Sequence, residues 1–304
     1  MLLRMRGGGA GALIFTATPT VAAPAQSASL QSTAHTAPLA AAERFDAGTL
    51  PPSDDFRRLI EGSSRAGGGR PKALVHDTQG EWLAKFPSCA RDEGFDVIGL
   101  EATCLALARA AGLVVPDSRL QAVGRRRVLM VRRFDVTPEH GRVHMVSLRT
   151  LCRERPGVYA QCYSDLADVL HKHSAAPSAD VTALFRHMVF NAAIGNVDDH
   201  LKNFWMLASP EGYRLAPAFD LVPDLAGRGE HTLAFHMGYA CPNQAELVAL
   251  AGAWRVRDAP AVIRQVTEAV SRFAKMAQSF KVRRGKSIDG FGHDIARRLA
   301  ILNA

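Results

Sequence analysis

No run of roughly 18 or more apolar residues occurs in the chain, which excludes a helical membrane span. Cysteine is scarce and unpatterned. The five, Cys89, Cys104, Cys152, Cys162 and Cys241, are odd in number and include no Cys-x-x-Cys pair. Neither a disulfide framework nor a zinc site is indicated, and a reducing, cytoplasmic compartment fits best. Internal repeats are absent. Acidic charge is in deficit, with 29 Asp and Glu against 37 Lys and Arg and a net charge of +8. Such an excess attracts polyanions without saying which. What remains is ordinary globular material. Over 304 residues, 47% are hydrophobic and 22% charged, which excludes a wholly disordered chain and leaves ample length for a core.

The first 45 residues read as a tail. Up to Ala42 they are rich in Ala, Thr, Pro, Gly and Ser, with almost no periodic pattern. Arg4 and Arg6 ahead of Gly11 to Ala23 resemble a secretory signal, but Thr16, Thr18, Pro19 and Thr20 dilute the apolar stretch. A flexible segment or an over-extended start is the expectation. From Asp46 the pattern sharpens. Asp54 to Glu61 reads as a short helix, followed by the small-residue loop Ser63 to Gly69. Lys72 to His76 and Glu81 to Phe86 read as strands around the turn Asp77 to Gly80. Val97 to Ala111 has helical spacing with Gly112 as its cap, and Ser118 to Val123 with Val128 to Phe134 reads as a second hairpin. Thereafter helices dominate: Cys162 to His173, Asp180 to Ile194, and most of the chain after Gln244. Between them lie a loop from Gly195 to Asn203 and a hairpin, Phe204 to Leu207 with Tyr213 to Leu215. The expected class is α+β, with a small lobe at 46–135 and a helical lobe at 136–304.

Three features far apart in the chain belong to one kind of chemistry. The first is the loop containing Ser64, Ala66, Gly67 and Gly68, followed by a strand ending at Lys85. Glycines let backbone approach an anion, consecutive N–H groups cradle phosphate oxygens, and a lysine adds a point charge. Alone, the same residues read as a flexible loop beside a surface lysine. The second is Glu101, near the start of the following helix, where a carboxylate can pair with Lys85 as in protein kinases. It also reads simply as a favourable charge near a helix N-terminus. The third is Asn196-Val197-Asp198-Asp199-His200-Leu201-Lys202-Asn203-Phe204, then a hairpin, then Ala218-Phe219-Asp220. In a kinase catalytic loop the base aspartate precedes a metal-binding asparagine by five positions, and a metal-binding aspartate follows beyond a hairpin. Asp198 to Asn203 has that interval and Asp220 that place. Asp199 is one position out of register, so the base falls to Asp198.

Ser63 to Leu74, Leu83 to Pro87, Arg132-Arg133-Phe134-Asp135 and Asp198 to Phe204 together resemble the HipA-like serine/threonine kinases, toxins of bacterial toxin–antitoxin systems. The resemblance runs from about Asp54 to near the C-terminus. It implies a two-lobed protein-kinase-like fold using ATP and Mg2+, with Lys85 on the ATP phosphates, Asp198 as base, and Asn203 and Asp220 on magnesium. It also implies His200 near the nucleotide and Phe134 in the hinge beside the adenine. Ser64, with Ser63 next to it, falls where family members autophosphorylate. Family substrates include aminoacyl-tRNA synthetases, and a DNA-binding antitoxin usually accompanies the kinase, so nucleic acid enters only through that partner. Two departures stand out. Nothing before Asp54 looks like the family's extra N-terminal subdomain, so a separate protein is expected to supply it, unless the copy is truncated or mis-started. Arg132 stands where the family often has a hinge glutamate.

Other readings stay open. A pseudokinase that binds an antitoxin or target would carry the same motifs, and the positive charge alone would suit a DNA-associated regulator. Arg125-Arg126-Arg127 and the run around Lys281 to Lys286 read as solvated faces. His171 with His173, and His231 with His236, have no zinc-site context and read as solvated or packed. Ser147 and Ser164 lack the partners of a hydrolase triad.

Overall fold

The computed structural model describes residues 11–12, 30–31, 70–88, 92, 94–123, 126–139, 141–152, 162–235, 238–282 and 286–304. The expected helix at Asp54 to Glu61 and the loop holding Ser63, Ser64, Ala66, Gly67 and Gly68 lie outside the described residues. The chain divides into two compact units, Met1–Ile98 with Pro116–Met145, and Gly99–Val115 with Val146–Ala304.

The first unit is built on strands β1 (Leu30–Gln31), β2 (Lys72–Asp77), β3 (Gly80–Lys85), β4 (Ser118–Val123) and β5 (Arg126–Arg132). They form one sheet in the order β1-β2-β3-β5-β4. All neighbours are antiparallel except β1, which runs parallel to β2 with Leu30 opposite Val75. The β2–β3 turn is fixed by Asp77, whose carboxylate accepts the Gln79 N–H and the Trp82 indole N–H, each at 2.8 Å. Alternation then sorts the faces. Trp82, Ala84 and Phe86 share one face with Ala73, Val75, Val123, Val128 and Met130, and these eight form a core cluster. Leu83 and Lys85 fall on the other face.

Strand β5 starts and stops two residues earlier than its spacing predicts. Just past the strand, the Arg133 N–H still donates to the Glu81 carbonyl at 2.9 Å, and its side chain turns inward. Its guanidinium is 2.6 Å from Asp135 and 3.3 Å from Glu81, with all three side chains at most 10% exposed. Burial alone would raise the Asp135 carboxyl, but the bonds and charge from Arg133 prevail and hold it below its usual range. The Gly11 N–H, from the segment read as a tail, also donates to Asp135 at 2.7 Å.

The second unit contains helix α1 (Val97–Ala110), which begins at the boundary and ends at Gly112 with φ 80°, as its spacing predicts. Helices α2 (Leu148–Cys152), α3 (Tyr163–His173) and α4 (Pro177–Ile194) follow. Next comes a small sheet of β6 (Met145–Ser147), β7 (Trp205–Ser209) and β8 (Gly212–Leu215) in the order β6-β7-β8. Helices α5 (Gln244–Ala253), α6 (Ala259–Val270), α7 (Phe273–Ser279) and α8 (Lys286–Leu302) complete it. Helix α4 starts three residues before the expected Asp180, because Pro177 suits a first helical position where no N–H is needed. It is the hub of the unit, packing against α3, α6 and α8. Asp180 is spent on structure: it takes a two-pronged bond from Arg214, the Leu215 N–H at 2.9 Å and the Ser174 hydroxyl at 2.6 Å. This ties α4 to β8. The arrangement is the expected α+β class. No described helix is long and apolar enough to cross a membrane.

Candidate active site

Helix α4 delivers the chain to the loop of Asp198 and Asn203 through Gly195, which adopts φ 69°, ψ 35°. The Asn196 N–H closes the helix end by donating to the Asn191 carbonyl at 2.9 Å. Residues 196–200 then run without regular structure into a 3-10 turn, Leu201–Asn203, whose Asn203 N–H donates to the His200 carbonyl at 2.9 Å. The same turn folds the Asn203 side chain backward. Its Nδ2 donates to the Asp198 carbonyl at 2.9 Å. The five-residue interval thus brings Asp198 and Asn203 together through a direct bond.

Asp198 and its neighbour face opposite fates. The Asp198 side chain is 59% exposed, with the Arg228 guanidinium 3.5 Å away. Asp199 is wholly buried. It accepts the Tyr163 hydroxyl at 2.6 Å, the Thr232 N–H at 2.8 Å and the Leu233 N–H at 3.3 Å, and lies 2.9 Å from His231 Nδ1. Tyr163 in turn accepts the Asn191 amide at 3.0 Å, and Asn191 accepts that of Asn196 at 3.0 Å. Rings close over this network. Tyr163 stacks on Phe235 at 5.4 Å and meets the edge of Phe204 at 5.9 Å, while His187 lies 4.8 Å from Phe204. Burial, aided by Asp199, pushes the Tyr163 phenol well above its ordinary value, and burial lowers His187 to about 4. Both are therefore neutral in the folded chain. The sequence reading missed Tyr163, Asn191 and the partnership of His231. The only signal in reach was the Asp198-Asp199 doublet, since the partners of Asp199 lie 36 and 32 positions away.

Beyond the loop, Phe204 accepts the Leu148 N–H at 2.9 Å and leads into the β7–β8 hairpin. The chain returns past Ala218, whose N–H donates to Val114 at 2.8 Å, to Asp220. Asp220 has φ 59°, a left-handed conformation that aspartate tolerates better than most residues but that is uncommon outside glycine. An outlier held by its surroundings there fits a site rather than a plain connector. His200 is half-buried, and its Nδ1 is buried without a hydrogen-bond partner among the described residues. Glu101 lies in α1 at 4% exposure.

The remaining candidates belong to the first unit. Lys85 ends β3, opposite Lys72 on β2 and Leu129 on β5, on the face away from the core cluster. Phe134 is half-buried between Arg133 and Asp135. Arg132, the departure at the hinge, is exposed. Its N–H donates to the Asp117 carbonyl at 2.8 Å, and its guanidinium lies 3.6 Å from the Asp117 carboxylate.

Asn203 and Asp220 fit a magnesium ion chemically. With Nδ2 committed to Asp198, the Asn203 Oδ1 is the atom left for a cation, and magnesium takes oxygen ligands from one or two side chains plus phosphates.

Residues 64–279 match the family described as HipA-like C-terminal domain. The chain belongs to that family. Two Sinorhizobium fredii (strain NBRC 101917 / NGR234) proteins of known sequence are similar. "Putative kinase Y4mE" is 31% identical over 154 residues, and "Putative kinase Y4dM" is 29% identical over 246. The matches cover 47% and 70% of this chain but only 34% and 56% of those proteins. Among solved structures, HipA from the Shewanella oneidensis MR-1 toxin–antitoxin complex with HipB and operator DNA aligns over 98% of this chain and 76% of its own, with TM-score 0.68 and 17% identity. The Helicobacter pylori proinflammatory kinase CtkA aligns over 78% of this chain and 90% of its own, with TM-score 0.58 and 15% identity. The fold is therefore that of HipA and of protein kinases, as the resemblance implied.

Proposed function

We propose that the chain is an ATP-dependent serine/threonine protein kinase. Asp198 accepts a hydrogen bond from the target hydroxyl, aims its oxygen at the γ-phosphorus and takes up its proton as the new P–O bond forms and ADP leaves. Lys85 and the Ser63 to Gly69 loop are the proposed binders of the ATP phosphates, Phe134 of the adenine, and Glu101 and His200 further nucleotide-site residues. Asn203 and Asp220 would hold magnesium, which would neutralise charge on the phosphates. Asp199 keeps out of the chemistry. Its lone pairs are occupied, so the loop keeps its shape while Asp198 stays open to a substrate.

The observation that carries this reading is the bond from Asn203 to the Asp198 carbonyl, in a member of this family. Ser64 and Ser63 are the proposed autophosphorylation sites, where added charge beside bound phosphates would switch the enzyme off. A DNA-binding antitoxin, a synthetase-type substrate and a cytoplasmic setting complete the proposal. The HipB and operator DNA bound to the Shewanella protein support the first of these.

The test is phosphoryl transfer from labelled ATP with Mg2+, followed by phosphosite mapping, in wild type and Asp198→Asn. Label on Ser63 or Ser64 in the wild type alone supports the reading. Label in both proteins refutes Asp198 as base. A wild type that binds ATP and an antitoxin but transfers nothing marks a pseudokinase.

A further inference from the structure

Arg298 lies on α8, about a hundred positions from the loop in the chain, and is 1% exposed. Its Nε donates to Asp294 at 2.6 Å. Its Nη1 lies 3.3 Å from His231 Nε2 and 3.5 Å from the Ala192 carbonyl. An arginine only donates. His231 Nε2 must therefore offer a lone pair, which puts the imidazole proton on Nδ1, the nitrogen 2.9 Å from Asp199. Asp199 then has four donors, Tyr163, His231 and the Thr232 and Leu233 amides, for its roughly four lone-pair sites. The other tautomer would set lone pair against lone pair at Asp199 and N–H against N–H at Arg298. Gly195, at the entrance to the loop, is part of the fit. A Cβ there would stand 2.8 Å from Arg298 Nε, so any larger residue has to displace the guanidinium.

We propose that Arg298 and His231 are positioning residues of the phosphotransfer site. Arg298 selects the His231 tautomer, and that tautomer, through Asp199, holds the loop with Asp198 outward and Asn203 folded back onto it. The role served rests on the kinase reading; the geometry does not. Arg298 stands outside the motif that carries the chemistry, so the final helix becomes part of the site.

The test uses the full chain. Nitrogen-15 histidine labelling reads the His231 tautomer by NMR, with the signal assigned by its loss in His231→Asn. Two variants then separate the links. In His231→Asn the amide nitrogen stands where Nδ1 does and can still donate to Asp199. In His231→Gln the amide stands where Nε2 does and keeps only the Arg298 side. The glutamine is nearer histidine in volume, so a role in packing alone would favour it.

The expected result is a wild-type proton on Nδ1. At similar unfolding midpoints, His231→Gln should lose about tenfold more kcat than His231→Asn, with KM for ATP moving less, and should exchange the amides of residues 196–204 faster. A proton on Nε2 overturns the proposal, as do equal losses that track the unfolding midpoints. If the wild type transfers no phosphate, the kinase reading falls and amide exchange decides. Faster exchange in His231→Gln than in His231→Asn upholds the proposal, and equal exchange overturns it.

Discussion

The sheet of the first unit and the loop after α4 are held by different means. In the sheet, a continuous backbone ladder satisfies the main chain, and the apolar face of Val75, Trp82, Ala84 and Met130 supplies the driving force. Any one side chain there is a share of a larger whole. The loop has almost no ladder. Its shape depends on one buried carboxylate, Asp199, drawing donors from α3 and from residues 231–233. Loss in the sheet is spread along a paired ladder; loss at Asp199 falls on the loop itself. That concentration leaves the outward side of the same loop free of structural duty, and Asp198 is on it.

Truncations should expose the contrast. Met130→Ala, in the core cluster, should cost about 2–5 kcal/mol through lost burial and a cavity. Asp199→Asn changes almost no volume, yet it sets an N–H2 against donors and should cost about 3 kcal/mol. Denaturant unfolding measures both. Amide exchange should show the second loosening residues 196–204 while the β2–β3 ladder stays protected; equal loosening of both would remove the distinction.

Acid should find the second unit through His187. Burial holds its value near 4, below the ordinary 6.5, so the unfolded chain takes up the proton first as pH falls. Stability is complete above about pH 6.5 and declines by about 3 kcal/mol as pH drops to about 4. His187→Gln should flatten that slope in a pH series of unfolding midpoints. Smaller still is Gly195→Ala, which forces a side chain into a left-handed conformation against Arg298 and should cost about 1–3 kcal/mol. Least of all is Arg228→Ala. Both partners of the Arg228–Asp198 pair are at least half exposed, so the change should move stability by less than about 0.5 kcal/mol.

Legibility in the sequence followed the same divide. Strands β2 to β4 and helices α1 and α3 lie within a residue or so of where periodicity and turn residues put them, because those signals are local. Strand β5 lies two residues earlier than its spacing predicts, and α4 begins early, where Pro177 suits a first helical position. The five-residue interval that singled out Asp198 and Asn203, as in a kinase catalytic loop, is the interval spanned by the bond between them. Tyr163, His231 and Arg298 were not. No spacing announces a tyrosine or histidine that will meet an aspartate across more than thirty residues, and an arginine near the end of an amphipathic helix ordinarily reads as solvated.

The central claim is that adjacent aspartates divide the labour, Asp199 for shape and Asp198 for chemistry. Measuring phosphoryl transfer and unfolding free energy together, for Asp198→Asn beside Asp199→Asn, tests it directly. The account predicts that Asp198→Asn keeps wild-type stability within about 0.5 kcal/mol while losing about a hundredfold or more in transfer. Asp199→Asn should lose stability first. An Asp198→Asn variant that still transfers phosphate, or one that unfolds as readily as Asp199→Asn, would contradict it.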